Sequence, residues 1–172
     1  DGEPKKVEIQ IVNDQEETTE MGKFGKASDI TITPDGDLIA FVARGEVFVT
    51  SEEYQTTKQI THTPEAEAYP TFSPDGKTLY FSTSMAQQMP KDYKSVKYSL
   101  CSISFDAQQG RFGNQVDTLY SAEKTGRTAA FPRVSPDGRF LAFAQADYGN
   151  FLIWHKEADL YLIDLKDGQV KE

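Results

Sequence analysis

The residue types that build most catalytic and metal sites are scarce in this chain of 172 residues. It contains one cysteine and two histidines. The lone Cys101 cannot form a disulfide within the chain, and no His or Cys pair has the spacing of a zinc site. No serine stands in a Gly-x-Ser-x-Gly elbow, and no glycine-rich phosphate loop precedes a helix. We therefore expect no enzyme activity and no cofactor or metal, which leaves binding as the function.

Basic residues and long apolar runs are also in short supply. Acidic residues outnumber basic ones by 27 to 18, for a formal net charge of −9. Nucleic-acid binding needs clustered Lys and Arg to neutralise phosphates, so we expect no nucleic-acid partner. The longest apolar run, Leu38 to Ala43, is far shorter than the span a bilayer requires. The chain is therefore not expected to span a membrane.

Long helical periodicity is missing as well, whereas strand-forming segments are frequent. The chain has 11 Phe and 8 Tyr, and short stretches of alternating apolar residues recur along it. Cys101 occupies an alternating position in one of them, and we expect it to be a small buried apolar residue. This pattern is typical of an all-β protein.

A Pro-Asp-Gly turn occurs three times, each time before a dense apolar run. Ser or Thr at the first position accepts a backbone hydrogen bond, proline has its φ already set, and glycine adopts a φ that most side chains refuse. The three copies are Thr33–Gly36, Ser73–Gly76 and Ser135–Gly138. Three copies with matched flanks make an internal repeat.

The spacing of the turns predicts the architecture. Thr33 and Ser73 are 40 residues apart, which is the length of one four-stranded propeller blade. Ser73 and Ser135 are 62 residues apart, one blade with an insertion. We predict about three β-propeller blades of four antiparallel strands, with insertions at 84–96 and 146–157 between the second and third strands of their blades. Phe41, Phe81 and Phe143 hold matching positions and should be buried between neighbouring blades.

The repeats divide the chain into four parts. These are an N-terminal strand (Val7–Val12) and acidic loop at 1–26, blade 1 at 27–67, blade 2 at 68–127, and blade 3 at 128–172, cut short where its fourth strand would begin. Propellers close with four to eight blades, so three blades leave exposed edges. We expect part of a longer propeller; the alternatives are an engineered chain, such as a join of two relatives, and self-association through the open edges. Alternatively, an added element such as Val7–Val12 covers an edge and completes the last blade.

These residues resemble the WD40-like repeats of the TolB-like β-propeller family, in which a Ser-Pro-Asp-Gly turn precedes an apolar strand. The resemblance covers nearly everything from Ser28 onward. A first part, Ile39–Val49 with Thr57–Thr61, is similar to the propeller of tricorn-type proteases. A second part is similar to TolB-like proteins of Bacteroidetes through Tyr98–Ile103, Phe131–Gly138 and Tyr148–Phe151.

The resemblance implies several functions, because propellers are scaffolds. A TolB-like chain would be a non-catalytic protein-interaction segment of a periplasmic or secreted bacterial protein. A tricorn-like chain would handle substrate for catalytic residues in other domains. A third alternative is a propeller that binds a carbohydrate or small ligand, with Trp154 as a stacking platform.

The two insertions supply the candidate partner-binding residues. Equivalent connections of adjacent blades emerge on one face of the disc, and large aromatic side chains and Met are enriched at interfaces. The candidates are Met89, Tyr93, Tyr148, Phe151, Trp154 and His155. The alternative is that these side chains fold back over the blade tops. His62, which lies outside both insertions, is interpreted as a loop cap.

Overall fold

The computed structural model describes residues 23–51, 53, 57–61, 65–84, 96–106, 111–147 and 157–172. These residues form twelve β-strands and one short helix. The strands make three four-stranded antiparallel sheets, each built from consecutive strands in the order of the chain. The predicted all-β fold with four-stranded propeller blades is confirmed.

The strands of each sheet follow one another along the chain. Sheet 1 contains β1 (Ser28–Ile32), β2 (Leu38–Ala43), β3 (Glu46–Ser51) and β4 (Thr57–Gln59). Sheet 2 contains β5 (Glu67–Phe72), β6 (Thr78–Ser84), β7 (Tyr98–Asp106) and β8 (Arg111–Tyr120). Sheet 3 contains β9 (Thr128–Val134), β10 (Phe140–Ala146), β11 (Asp159–Asp164) and β12 (Gln169–Lys171). The helix α1 (Ala122–Thr125) joins sheets 2 and 3, capped by the Ser121 hydroxyl.

The three Pro-Asp-Gly turns share one hydrogen-bond pattern. The hydroxyl of the first residue donates to the aspartate carboxylate, at 2.6 Å from Thr33 and Ser73 and 2.5 Å from Ser135. The same oxygen accepts the backbone N–H five positions on, at 2.9–3.0 Å. The turn glycines have φ of 68–84°, which glycine adopts without strain. Pro34, Pro74 and Pro136 therefore lie in equivalent turns, as predicted.

The core lies in two layers, one between each pair of neighbouring sheets. Phe81 packs between sheets 1 and 2 and Phe143 between sheets 2 and 3, and each is 1% exposed, as predicted. Phe41 is only half-buried, so its predicted burial between blades is wrong. Its neighbours in β2 face sheet 2, so Phe41 points the other way and stacks on Phe48, with ring centroids 5.7 Å apart. Cys101 is buried as predicted, and burial raises the pKa of its thiol.

The third sheet corrects one expectation. It was expected to be cut short, but β12 pairs with β11 through Gln169, Val170 and Lys171 and completes four strands. Three residues are enough for this strand, as they are for β4. No strand is therefore needed from Val7–Val12 to complete this sheet, and that segment lies outside the described residues.

Candidate functional site

The first strand of each sheet carries one residue in the left-handed region of backbone conformation. These residues are Asp29 with φ 51°, Tyr69 with φ 56° and Phe131 with φ 55°. Each stands four positions before the first residue of a Pro-Asp-Gly turn, and each lies where the pairing with the second strand shifts register. A β-bulge re-aims a side chain, and a positive φ is rare for Tyr and Phe. Each of the three blades therefore has a strained backbone and a redirected side chain at the same position of the repeat.

These three residues, which we name the bulge row, touch one another across the sheets. The backbone N–H of Tyr69 donates to the Asp29 carboxylate at 3.4 Å. The ring of Tyr69 packs on the ring of Phe131, with centroids 4.2 Å apart and planes tilted by 42°. Since β1 contacts β5 and β5 contacts β9, the first strands lie on the inner side of the stack. In a propeller this is the side of the central channel.

Two further side chains, Tyr98 and Glu67, lie beside the bulge row. Tyr98 begins β7, and its backbone N–H donates to the buried Thr128 hydroxyl at 3.3 Å. Glu67 begins β5 and is buried; its carboxylate accepts from the Thr83 hydroxyl at 3.1 Å. We call the bulge row together with Glu67 and Tyr98 the mouth cluster.

The ionisable groups of the mouth cluster affect the pKa values of its two tyrosines. Burial raises the pKa of Tyr69, and the charge of Asp29 raises it further. Burial also raises the pKa of Tyr98, with added contributions from the charges of Asp29 and Glu67. Both phenols are therefore protonated at neutral pH, and the nearby charge of Asp29 acts on both of them. The cluster presents negative charge beside aromatic faces, a combination that suits a cation on an apolar stem.

A polar network ties sheets 2 and 3 together near the same edge. Gln145 lies near the end of β10 and donates from its amide to the Tyr120 hydroxyl at 2.5 Å. Arg127 donates to the Gln145 amide oxygen at 3.1 Å and forms an ion pair with Asp147 at 3.3 Å. This network crosses from the last strand of sheet 2 to β10 of sheet 3 and includes Arg127, which directly precedes β9.

Other features of the described residues give less chemistry. A cavity of about 400 Å³ lies at the β7–β8 hairpin, lined by Phe105, Arg111 and Asn114 among others, at the end of the blade away from the mouth cluster. Within the described ranges, no group of three or more His, Cys, Asp or Glu is placed to hold a metal ion. No helix in the same ranges is long and apolar enough to cross a membrane.

The residues predicted to bind a partner fall outside the described residues. They are Met89, Tyr93, Tyr148, Phe151, Trp154 and His155, and the same holds for His62. The ends of their connections are described: Ser84 pairs with Tyr98, and the pairing of β10 with β11 reaches Gln145 and Asp159. Both connections therefore begin and end at the edge where the mouth cluster lies. The prediction for these six residues stays a prediction.

Sequence reasoning missed the bulge row, although a signal for part of it is present. Tyr69 and Phe131 are each followed by proline at the same step of the repeat, four positions before the turn serine. Aligning the repeats on their turns would have singled out this aromatic-proline pair. Asp29 holds the same step in the first repeat but has no proline after it.

Comparison with known proteins establishes the fold. No family model matches the sequence. No curated protein matches it either. Among solved structures, a TolB from Agrobacterium tumefaciens has a TM-score of 0.65 and 18% identity, over 87% of this chain and 50% of the other. A TolB from Acinetobacter baumannii has a TM-score of 0.58 and 24% identity, over 86% of this chain and 32% of the other.

The tricorn protease is similar as well, with a TM-score of 0.61 and 12% identity over 84% of this chain and 14% of the protease. This chain thus spans half, or less, of the length of these three proteins. At such identities the likeness shows the fold alone, and that fold is a segment of a β-propeller. The resemblance predicted from the turn repeats is confirmed at this level.

Proposed function

We propose that this chain is a non-catalytic propeller segment that binds a protein partner at the edge carrying the mouth cluster. The observation that carries the proposal is the bulge row. Three blades place a strained residue at the same step, and the three are joined through a hydrogen bond and a ring contact. Strained backbone at repeated positions is maintained only where the surroundings enforce it, and it clusters at functional sites.

The chemistry of the mouth cluster indicates what the partner presents. Asp29 supplies negative charge, and Tyr69 and Phe131 supply aromatic faces, all at one edge. A Lys or Arg side chain matches both, because its charge pairs with carboxylates and its cation is attracted to an aromatic face by about 0.5–1 kcal/mol at an exposed site. The net charge of −9 favours the approach of a basic segment. The partner we propose is therefore a protein segment with a basic residue.

The absence of catalysis belongs to the same proposal. The pKa values of Tyr69 and Tyr98 are raised, so neither phenol serves as a base near neutral pH. We further propose a periplasmic or secreted location, which rests on the resemblance to TolB-like proteins. The aromatic residues predicted in the two connections, Tyr93, Phe151 and Trp154, remain proposed contributors to partner binding.

A peptide-display selection tests this function. Random peptides are selected on the full chain and then compared for binding to Asp29→Asn, which removes the charge and keeps a residue that tolerates a positive φ. Asp37→Asn, an exposed carboxylate next to a Pro-Asp-Gly turn at the other end of the blade, is the matched control. We expect enriched peptides to contain Lys or Arg and to bind Asp29→Asn at least tenfold more weakly, with Asp37→Asn unchanged. Peptides that bind both variants as well as the parent chain would contradict the proposal.

A further inference from the structure

Each end of the three-sheet stack exposes apolar side chains on a sheet face. On the outer face of sheet 1, which we name the first flank, Ile30 is 65% and Ile32 is 55% exposed. On the outer face of sheet 3, which we name the last flank, Leu160 is 67% and Leu162 is 40% exposed. Neighbouring exposed apolar side chains on one sheet face indicate a surface that packs against another, and the repeat shows what covers the equivalent positions.

The positions equivalent to those of the first flank are buried or partly buried in the other two sheets. Ile32 comes immediately before the turn residue Thr33, as Phe72 and Val134 come before theirs. Phe72 is buried against sheet 1, and Val134 packs into the layer between sheets 2 and 3. Ile30 corresponds in the same way to the buried prolines Pro70 and Pro132. In sheets 2 and 3, therefore, this face receives the preceding sheet.

The positions of the last flank are likewise buried in the sheets before it. Leu160 pairs with Ala144 as Leu100 pairs with Ser82 and Val47 pairs with Val42. Leu100 and Val47 are both fully buried, whereas Leu160 is the most exposed of these. Leu162 corresponds in the same register to Val49 and Ser102, which are also buried. In sheets 1 and 2 this face therefore receives the following sheet.

The two flanks are thus the two halves of an interface that the chain already makes twice, between sheets 1 and 2 and between sheets 2 and 3. We infer that a second copy of this chain docks on these flanks, with the last flank of each copy against the first flank of the other. The contact is head to tail and occurs twice, so the two copies close a ring around one channel. This goes beyond the proposed binding function and does not depend on it.

The three sheets of one chain indicate that the ring contains two copies. Closed propellers have about four to eight blades, and six is the one multiple of three in that range. A head-to-tail interface closes into a ring when the rotation per copy fits, and otherwise continues as an open filament.

The mass of the chain in solution tests the inference. Sedimentation equilibrium on the full chain should give twice the 19.2 kDa of one copy. Ile30→Asp on the first flank and Leu160→Asp on the last flank should each weaken association at least tenfold. Both side chains are exposed, so folding, followed by circular dichroism, should persist. The matched control is Val116→Asp, an exposed apolar residue of β8 on neither flank, which should leave the mass unchanged.

Mixing the two flank variants distinguishes a head-to-tail contact from other pairings. In the mixture, the intact first flank of Leu160→Asp meets the intact last flank of Ile30→Asp, so one interface is restored and association should return. A parent chain that stays monomeric at every concentration would overturn the inference. So would a dimer that only one of the two variants weakens, or a mixture that associates no better than either variant alone.

Discussion

The ring of Tyr69 lies against the ring of Phe131, with centroids 4.2 Å apart, and both residues have a left-handed backbone. They hold the same step in consecutive repeats, so the contact joins equivalent points of sheets 2 and 3 at their inner side. Asp29 extends the row to sheet 1 by accepting the Tyr69 N–H. The repeat that packs the core between neighbouring sheets thus also aligns three side chains at one edge of the stack.

Truncation of Phe81 tests the blade packing. Phe81→Ala removes a ring that is 1% exposed between sheets 1 and 2, and we expect it to lower the free energy of unfolding by about 3–5 kcal/mol. Val116→Ala, at an exposed position, should change it by less than about 0.5 kcal/mol. Urea denaturation measures both. A loss below about 1 kcal/mol for Phe81→Ala would mean that this interface is not a packed core.

A glycine substitution tests the turns. Gly76 has φ 68°, and a Cβ added there meets no atom within 4 Å, so Gly76→Ala changes backbone strain alone. We expect a loss of about 1 kcal/mol or more in the free energy of unfolding. Gly25→Ala is the matched control, because Gly25 has equally open space. Equal stability of the two variants in denaturant would show that the turn geometry is not needed.

The turn aspartates make the stability depend on pH. The Ser73 hydroxyl, and then the Lys77 N–H, hold the pKa of Asp75 below its ordinary value of 3.8. Ionised Asp75 therefore stabilises the fold above that pH, and this contribution is lost as the pH falls through the lowered pKa. Asp75→Asn should lower the melting temperature at pH 7, and its difference from the parent chain should shrink below about pH 3.8. A difference that is constant across this range would contradict the assignment.

The network between sheets 2 and 3 can be tested at its buried end. Tyr120→Phe removes the hydroxyl that accepts from the buried Gln145 amide and leaves that donor without this partner. Such a loss costs about 1–3 kcal/mol of unfolding free energy. Tyr161→Phe, on a half-buried ring of the same layer, is the control and should cost less. Chemical denaturation measures the free energy of unfolding of both variants. An unchanged value for Tyr120→Phe would show that the network does not stabilise the fold.

The fold was predictable because it is repeated. The three turns, each with a fixed residue order, marked where first strands end and second strands begin, and their spacing gave the blade length. The error at Phe41 has a physical cause: an equivalent position is buried only if a sheet lies on that side, and sheet 1 is the first of the stack. The repeat placed the start of the fourth strand of blade 3 near Gln169, where β12 begins, but did not indicate that three residues are enough to form it.

The candidate site was less predictable. Asp29, Tyr69 and Phe131 gain their placement from a positive φ at a register shift, and the aromatic-proline pairs at two of these positions do not by themselves indicate a positive φ. Glu67 lies two residues before Tyr69 in β5, and Tyr98 is brought beside the row by the contact of β7 with β9. The aromatic residues of the two connections were visible in the sequence, whereas the mouth cluster required the register of the sheets.

The central claim is that a partner binds at the mouth cluster, and backbone amide shift mapping tests it most directly. A Lys- or Arg-containing peptide from the display selection is titrated into the nitrogen-15-labelled chain. The account predicts that the amide shifts move most at Asp29, Tyr69, Tyr98 and Phe131. Shifts concentrated instead at the Pro-Asp-Gly edge, at residues such as Asp37 and Lys77, would contradict it.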